Sequence, residues 1–95
     1  MTLSDEEYLD LINKHFGRTF TRCESSNVFA YAWKSITPKW GDLYIAFKGG
    51  KIYQYHKVPT HTFANLENAE SKGKFVSQNI VKEYSNSFTK YEITF

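Results

Sequence analysis

One cysteine, two prolines and five glycines in 95 residues leave several architectures without material. The lone Cys23 cannot close an internal disulfide, so no cross-linked secreted scaffold is available. No apolar run approaches the roughly 20 residues that span a bilayer, so no membrane association is expected. Ser4-Asp5-Glu6-Glu7 is acidic where a secretory leader would be cationic, which points to a reducing cytoplasm. His15, His56 and His61 lack the spacing of a shared metal site, and no metal or cofactor is expected. No Ser-His-Asp set, paired-carboxylate motif or glycine-rich phosphate loop is evident. Lys48-Gly49-Gly50-Lys51 is too short for a P-loop. Cys23, beside Glu24 and Ser25, has no neighbour that would activate a thiol. The chain therefore reads as non-enzymatic, with no catalytic residue.

Aromatic side chains, by contrast, are abundant at 18% of the chain. Each encloses about 150–250 Å² when buried, so a few suffice to build a small core. Length and this supply predict a single domain over residues 1–95. The net charge of +2 is uneven: Asp5, Glu6, Glu7 and Asp10 crowd the first ten residues, leaving the remainder clearly basic. That balance permits contact with a polyanion without requiring it.

Residues 1–17 carry an amphipathic helix. Ser4 and Glu7 form a capping box, Gly17 a stop, and Tyr8, Leu11, Ile12, His15 and Phe16 one apolar stripe. Val28 to Ile36 alternates as a strand, with Phe29, Tyr31 and Trp33 on one side and Val28, Ala30 and Ala32 on the other. Thr37 to Asp42 reads as a turn, Leu43–Lys48 and Lys51–Lys57 as a hairpin, and Val58-Pro59 as the end of the sheet run. Thr60 to Ala69 forms a short helix. Ser71 caps another that runs to about Tyr84, with Val76, Ile80 and Tyr84 on one row and Lys74, Gln78 and Lys82 on a second. Residues 88–95 alternate as a C-terminal strand or a partner-pairing tail. The fold class is α+β: an antiparallel meander of three to four strands, with an N-terminal helix and two short helices packed on one face.

Hairpin parity controls the functional reading. With a two-residue Gly49-Gly50 loop, Tyr44, Tyr53 and Tyr55 share a face with Lys48, Lys51 and Lys57, as a single-stranded nucleic-acid surface requires. With a Lys48-Gly49-Gly50 loop and a bulge, Phe47 faces Lys51 instead. Tyr53 and Tyr55 then join Leu43, Ile45 and Phe47 in the core, leaving Gln54 and His56 to water. The second arrangement buries fewer polar groups and is preferred.

From Ser25-Ser26-Asn27-Val28 and Tyr31, through Leu43-x-Ile45-x-Phe47, Gly50 and Tyr53-Gln54-Tyr55, the chain resembles the KTSC domain. The likeness continues through Val58-Pro59, Phe63, Leu66, Ala69, Ser71, Gly73 and Phe75 to Ile80 and Tyr84, and departs at Ser77 and Val81. It spans residues 25–84, and leaves the first helix and the tail outside. This family is named for its place at the C-terminus of some bacterial lysyl-tRNA synthetases and occurs as stand-alone bacterial and phage proteins. The resemblance implies a small α+β module, and RNA binding by association with a tRNA-charging enzyme.

The expected function is accordingly a binding module for RNA or single-stranded DNA. Its candidate surface is Tyr44, Tyr53, Tyr55, Lys48, Lys51 and Lys57, together with Ser71, Lys72, Lys74 and Lys82. A second expectation is a protein-interaction factor, such as a phage-encoded inhibitor of a host or antiviral protein, engaging its partner through Trp40, Tyr8 and Phe95. A third is an oligomeric sponge for a nucleotide signal; the oligomeric state itself is not legible.

Overall fold

The alternating segments assemble into one antiparallel meander. The structure, a computed structural model, describes residues 3–85 and 87–92. Five strands lie in chain order: β1 (Thr21–Arg22), β2 (Val28–Ser35), β3 (Trp40–Phe47), β4 (Lys51–Pro59) and β5 (Phe88–Glu92). Helix α1 spans Asp5–Phe16 and α2 spans Thr60–Asn68. The short α3, Lys72–Phe75, runs directly into a π-helical segment, Val76–Val81. The α+β class and the meander are as expected. β5 is the expected C-terminal strand, and the sheet is one strand wider than expected because β1 also joins it.

Local chemistry sets the element ends. Ser4 Oγ accepts from Glu7 N at 3.2 Å and Glu7 Oε1 accepts from Ser4 N at 3.2 Å, so the capping box forms. Gly17 then stops α1 at φ 63°, in the left-handed region. Trp40, Gly41 and Asp42, expected in a turn, instead begin β3. Thr37 Oγ1 accepts from Lys39 N (3.2 Å) and Trp40 N (3.1 Å), which tightens the turn and releases those residues to pair. Nor does Val58-Pro59 leave the sheet, since Trp40 pairs with Pro59 and Gly41 with Val58.

Two bulges redirect side chains. In the β2–β3 register Val28 faces Phe47 and Ala30 faces Ala46, so Phe29 is the extra residue. It is thereby turned away from Tyr31 and Trp33 onto the opposite face, a correction to simple alternation. In the β3–β4 register Leu43 faces Tyr55 and Gly41 faces Val58, so the extra residue lies on β4. There Lys57 adopts φ 56°.

The sheet is covered on both faces, where helices were expected on one. Val28, Tyr31, Leu43, Ile45, Tyr55 and Val58 pack with Leu66, Val76 and Ile80 of the later helices. On the other side Phe29, Ala30, Ala32, Tyr44, Ala46 and Ile52 pack with Ile12 of α1 and Phe20. Phe16 is central there, its ring 5.3 Å from Tyr44, 5.0 Å from Tyr91 and 5.8 Å from Phe20. Each enclosed aliphatic or aromatic side chain stabilises the fold by about 1.5–3 kcal/mol, so both layers matter to a small domain. Among the described residues no helix is long and apolar enough to cross a membrane.

Candidate functional site

A polar groove lies where the β1–β2 loop meets α3 and the π-helical segment. Its volume is about 560 Å³, and Ser25, Asn27, Ser71, Gly73, Lys74 and Ser77 are among its lining residues. Ser25 organises the loop: its hydroxyl donates to Asn27 Oδ1 (2.9 Å) and accepts from the backbone N–H groups of Asn27 and Val28 (3.3 Å each). Asn27 Nδ2 reaches across to Ser77 Oγ at 3.3 Å, joining loop to helix. Lys48 N donates to Asn27 O at 2.9 Å, so the β3–β4 hairpin tip is tied to the same loop. The close approach depends on Gly73: a Cβ there would overlap Ser25 Oγ and stand 2.5 Å from Asn27 Oδ1.

Ser71 Oγ accepts from Lys74 N at 3.3 Å, which fixes the start of α3 as its sequence predicts. Lys74 is exposed at the groove and Glu24 is its acidic member. Lys72 serves elsewhere: its ammonium donates to Glu67 O and Ala69 O, 3.2 Å each, closing the end of α2. Lys74, Gln78 and Lys82 of the expected row are all exposed. Lys74 and Gln78 line the groove, while Lys82 lies beyond its lining.

The tyrosine candidates are used internally. Phe47 ends β3 and Lys51 begins β4, with Ala46 opposite Ile52, so Lys48-Gly49-Gly50 is the turn, both its glycines at positive φ. Tyr55 is 1% exposed, and burial pushes its hydroxyl up to about 12. Tyr53 is half-buried, stacked on Phe88 at 4.9 Å with 11° between the planes. Tyr44 lies on the other face beneath α1, where burial likewise raises its pKa. The shared tyrosine–lysine face therefore does not exist. Lys51 and Lys57 are exposed at opposite ends of β4, about 20 Å apart at strand spacing, and do not form one patch.

Trp40 is half-buried at the start of β3 and is not a loop anchor. Tyr8 packs edge-on against Phe29 at 5.1 Å, so it faces the sheet. Phe95 lies outside the described residues. Cys23 is a buried free thiol whose pKa burial pushes up, consistent with an unactivated cysteine. Among the described residues no three metal-ligating side chains cluster.

Gln54 and His56 do not simply face water. Tyr91 Oη donates to Gln54 Oε1 (2.6 Å), and Gln54 Nε2 donates to Asp42 Oδ2 (2.8 Å). The same carboxylate oxygen stands 3.4 Å from His56 Nδ1, and His56 Nε2 lies 2.8 Å from Thr89 Oγ1. This chain of polar groups laces β3, β4 and β5 together around Asp42, which is only 9% exposed. Strand alternation puts Gln54 and His56 on one side, but it does not reveal that Asp42, Thr89 and Tyr91 meet them there, because that depends on pairing between strands. It also missed Ser25, Ser26, Asn27 and Ser77 as groove residues. The available signal was their small polar character among the family-matching positions.

Comparison with known proteins agrees with this architecture. The family profile of the KTSC domain matches residues 24–84. A crystal structure of a KTSC domain protein from Yersinia pestis superposes with a TM-score of 0.59 at 27% sequence identity, covering 79% of this chain and 96% of that one. No curated protein matches. The matched segment contains the groove's loop, α3 and the π-helical segment as well as the central hairpin, and the chain belongs to the KTSC domain family.

Proposed function

We propose that this chain is a non-enzymatic binding module that holds the phosphate backbone of RNA or single-stranded DNA. The observation that carries the reading is the groove itself. Serine hydroxyls, the Asn27 and Gln78 amides and an exposed ammonium line it, and the Lys48 turn is fastened beside it. Hydroxyls, amides and lysines are the groups that contact phosphate and sugar oxygens. Among the described residues no aromatic ring lines the groove, and Tyr44, Tyr53 and Tyr55 are occupied in packing. Binding is therefore backbone-directed and nearly indifferent to base sequence. The buried free Cys23 suits a reducing cytoplasm.

The test is fluorescence anisotropy with uridine and thymidine homopolymers across a salt series. Affinity should fall with log salt with a slope near −0.7 for each phosphate contacted. Lys74→Glu combined with Lys48→Glu should weaken binding to both polymers at least tenfold. Absence of binding at low salt, or capture from lysate that survives nuclease and ignores both substitutions, would refute it.

A further inference from the structure

We propose that two copies of this chain pair β5 against β5, antiparallel about a two-fold axis passing by Tyr91, and so form one continuous ten-stranded sheet. In the sheet β5 is an outer strand, with β4 as its neighbour. Its hydrogen-bonding parity follows from one contact: His56 N donates to Ser87 O at 2.8 Å. In an antiparallel ladder the residues that exchange both bonds recur every second position. Ser87, Thr89 and Tyr91 thus turn their backbone groups toward β4, given Gln54 opposite Thr89 and Ile52 opposite Tyr91. Phe88, Lys90 and Glu92 turn theirs outward. A row of outward N–H and C=O groups is a template for a further strand.

The side chains on this row select both occupant and register. Lys90 and Glu92 form an ion pair of 3.2 Å along the strand, so the edge presents one charge of each sign. Pairing centred on Tyr91 sets Lys90 of each copy opposite Glu92 of the other, and both are outward-bonding positions, as the ladder demands. Pairing centred on Lys90 would set the two lysines against each other, which is unfavourable. The edge is thus complementary to itself in one register. The opposite edge of the sheet offers no equivalent row. There β1 has two residues, and the Arg22 guanidinium binds Cys23 O (3.0 Å), Phe29 O (2.9 Å) and Asp5 (3.1 Å). With one open edge per copy, assembly closes at two and does not propagate into a fibre.

Sedimentation equilibrium of the whole chain over a concentration series tests this. The mass should rise from the 11.1 kDa of one chain to twice that value. Lys90→Glu alone and Glu92→Lys alone should each weaken self-association at least tenfold, by placing like charges opposite one another. An equimolar mixture of the two variants should recover it, because both cross-strand pairs are then restored with opposite sign. A wild-type chain that stays monomeric, single variants that associate as well as wild type, or a mixture that fails to associate would each overturn the proposal. Circular dichroism of each variant separates loss of pairing from loss of fold.

Discussion

Gly73 lies so close to Ser25 that a methyl group on its Cα would occupy the space of the Ser25 hydroxyl. Loop and helix meet at van der Waals distance only because the side chain is a hydrogen. Gly73→Ala should therefore push α3 away from the β1–β2 loop. It should break the Ser25–Asn27 hydrogen bond and cost about 1–3 kcal/mol by overpacking. Urea denaturation reads the stability, and anisotropy should show nucleic-acid affinity falling with it.

Lys57 holds φ 56° with a side chain that disfavours it. An L-residue in the left-handed region is strained by about 1–2 kcal/mol, whereas glycine is not. Lys57→Gly should consequently stabilise the protein by about 1 kcal/mol, less the entropy glycine adds to the unfolded chain. A rise in the urea midpoint at unchanged slope checks it. A fall would mean that the bulge relies on the lysine side chain.

Tyr55 is buried with a hydroxyl that has no hydrogen-bond partner among the described residues. Tyr55→Phe should be neutral or stabilising by up to about 1–2 kcal/mol at pH 7, since an unsatisfied buried hydroxyl is removed. The same group governs alkaline stability. Folding raises its pKa from 10.0 to about 12, so the neutral form is favoured in the native state. Its contribution is whole below pH 10 and declines as pH rises from 10 through 12, by at most about 1.4 kcal/mol per unit. Tyr8, Tyr31, Tyr44 and Tyr84 shift upward too and add to the loss. Stability measured from pH 9 to 12 should fall less steeply in Tyr55→Phe.

His56 ties β5 to the interior by standing between Asp42 and Thr89. His56→Ala should leave the two cores intact and loosen the outer strand, at a cost of about 1–2 kcal/mol. Hydrogen exchange should show faster opening at Thr89 and Tyr91, with amides of β2 and β3 little changed. Uniform acceleration throughout the sheet would argue against a local role.

Much of the fold was legible from local rules. The Ser4–Glu7 box and Gly17 marked α1 because capping needs only near neighbours. Gly49 and Gly50, both at positive φ, marked the hairpin tip because few other residues adopt that backbone readily. Phe29 was misplaced for the converse reason. A bulge is created by pairing between strands, and a single strand's alternation carries no trace of it. The groove was half legible: Ser71 and Lys74 stood out as a helix start, while Ser25 and Asn27 reached it only through the chain's return some fifty residues later.

The amino-acid sequence by itself determined the meander, its turns and the α1 cap, since these follow from steric preference and hydrophobic period over a few residues. Tertiary structure alone decided that helices cover both faces of the sheet and that loop serines meet the later helical segments across a glycine. Those outcomes depend on register and on contact between distant segments, and free energy there is settled by which surfaces can approach one another.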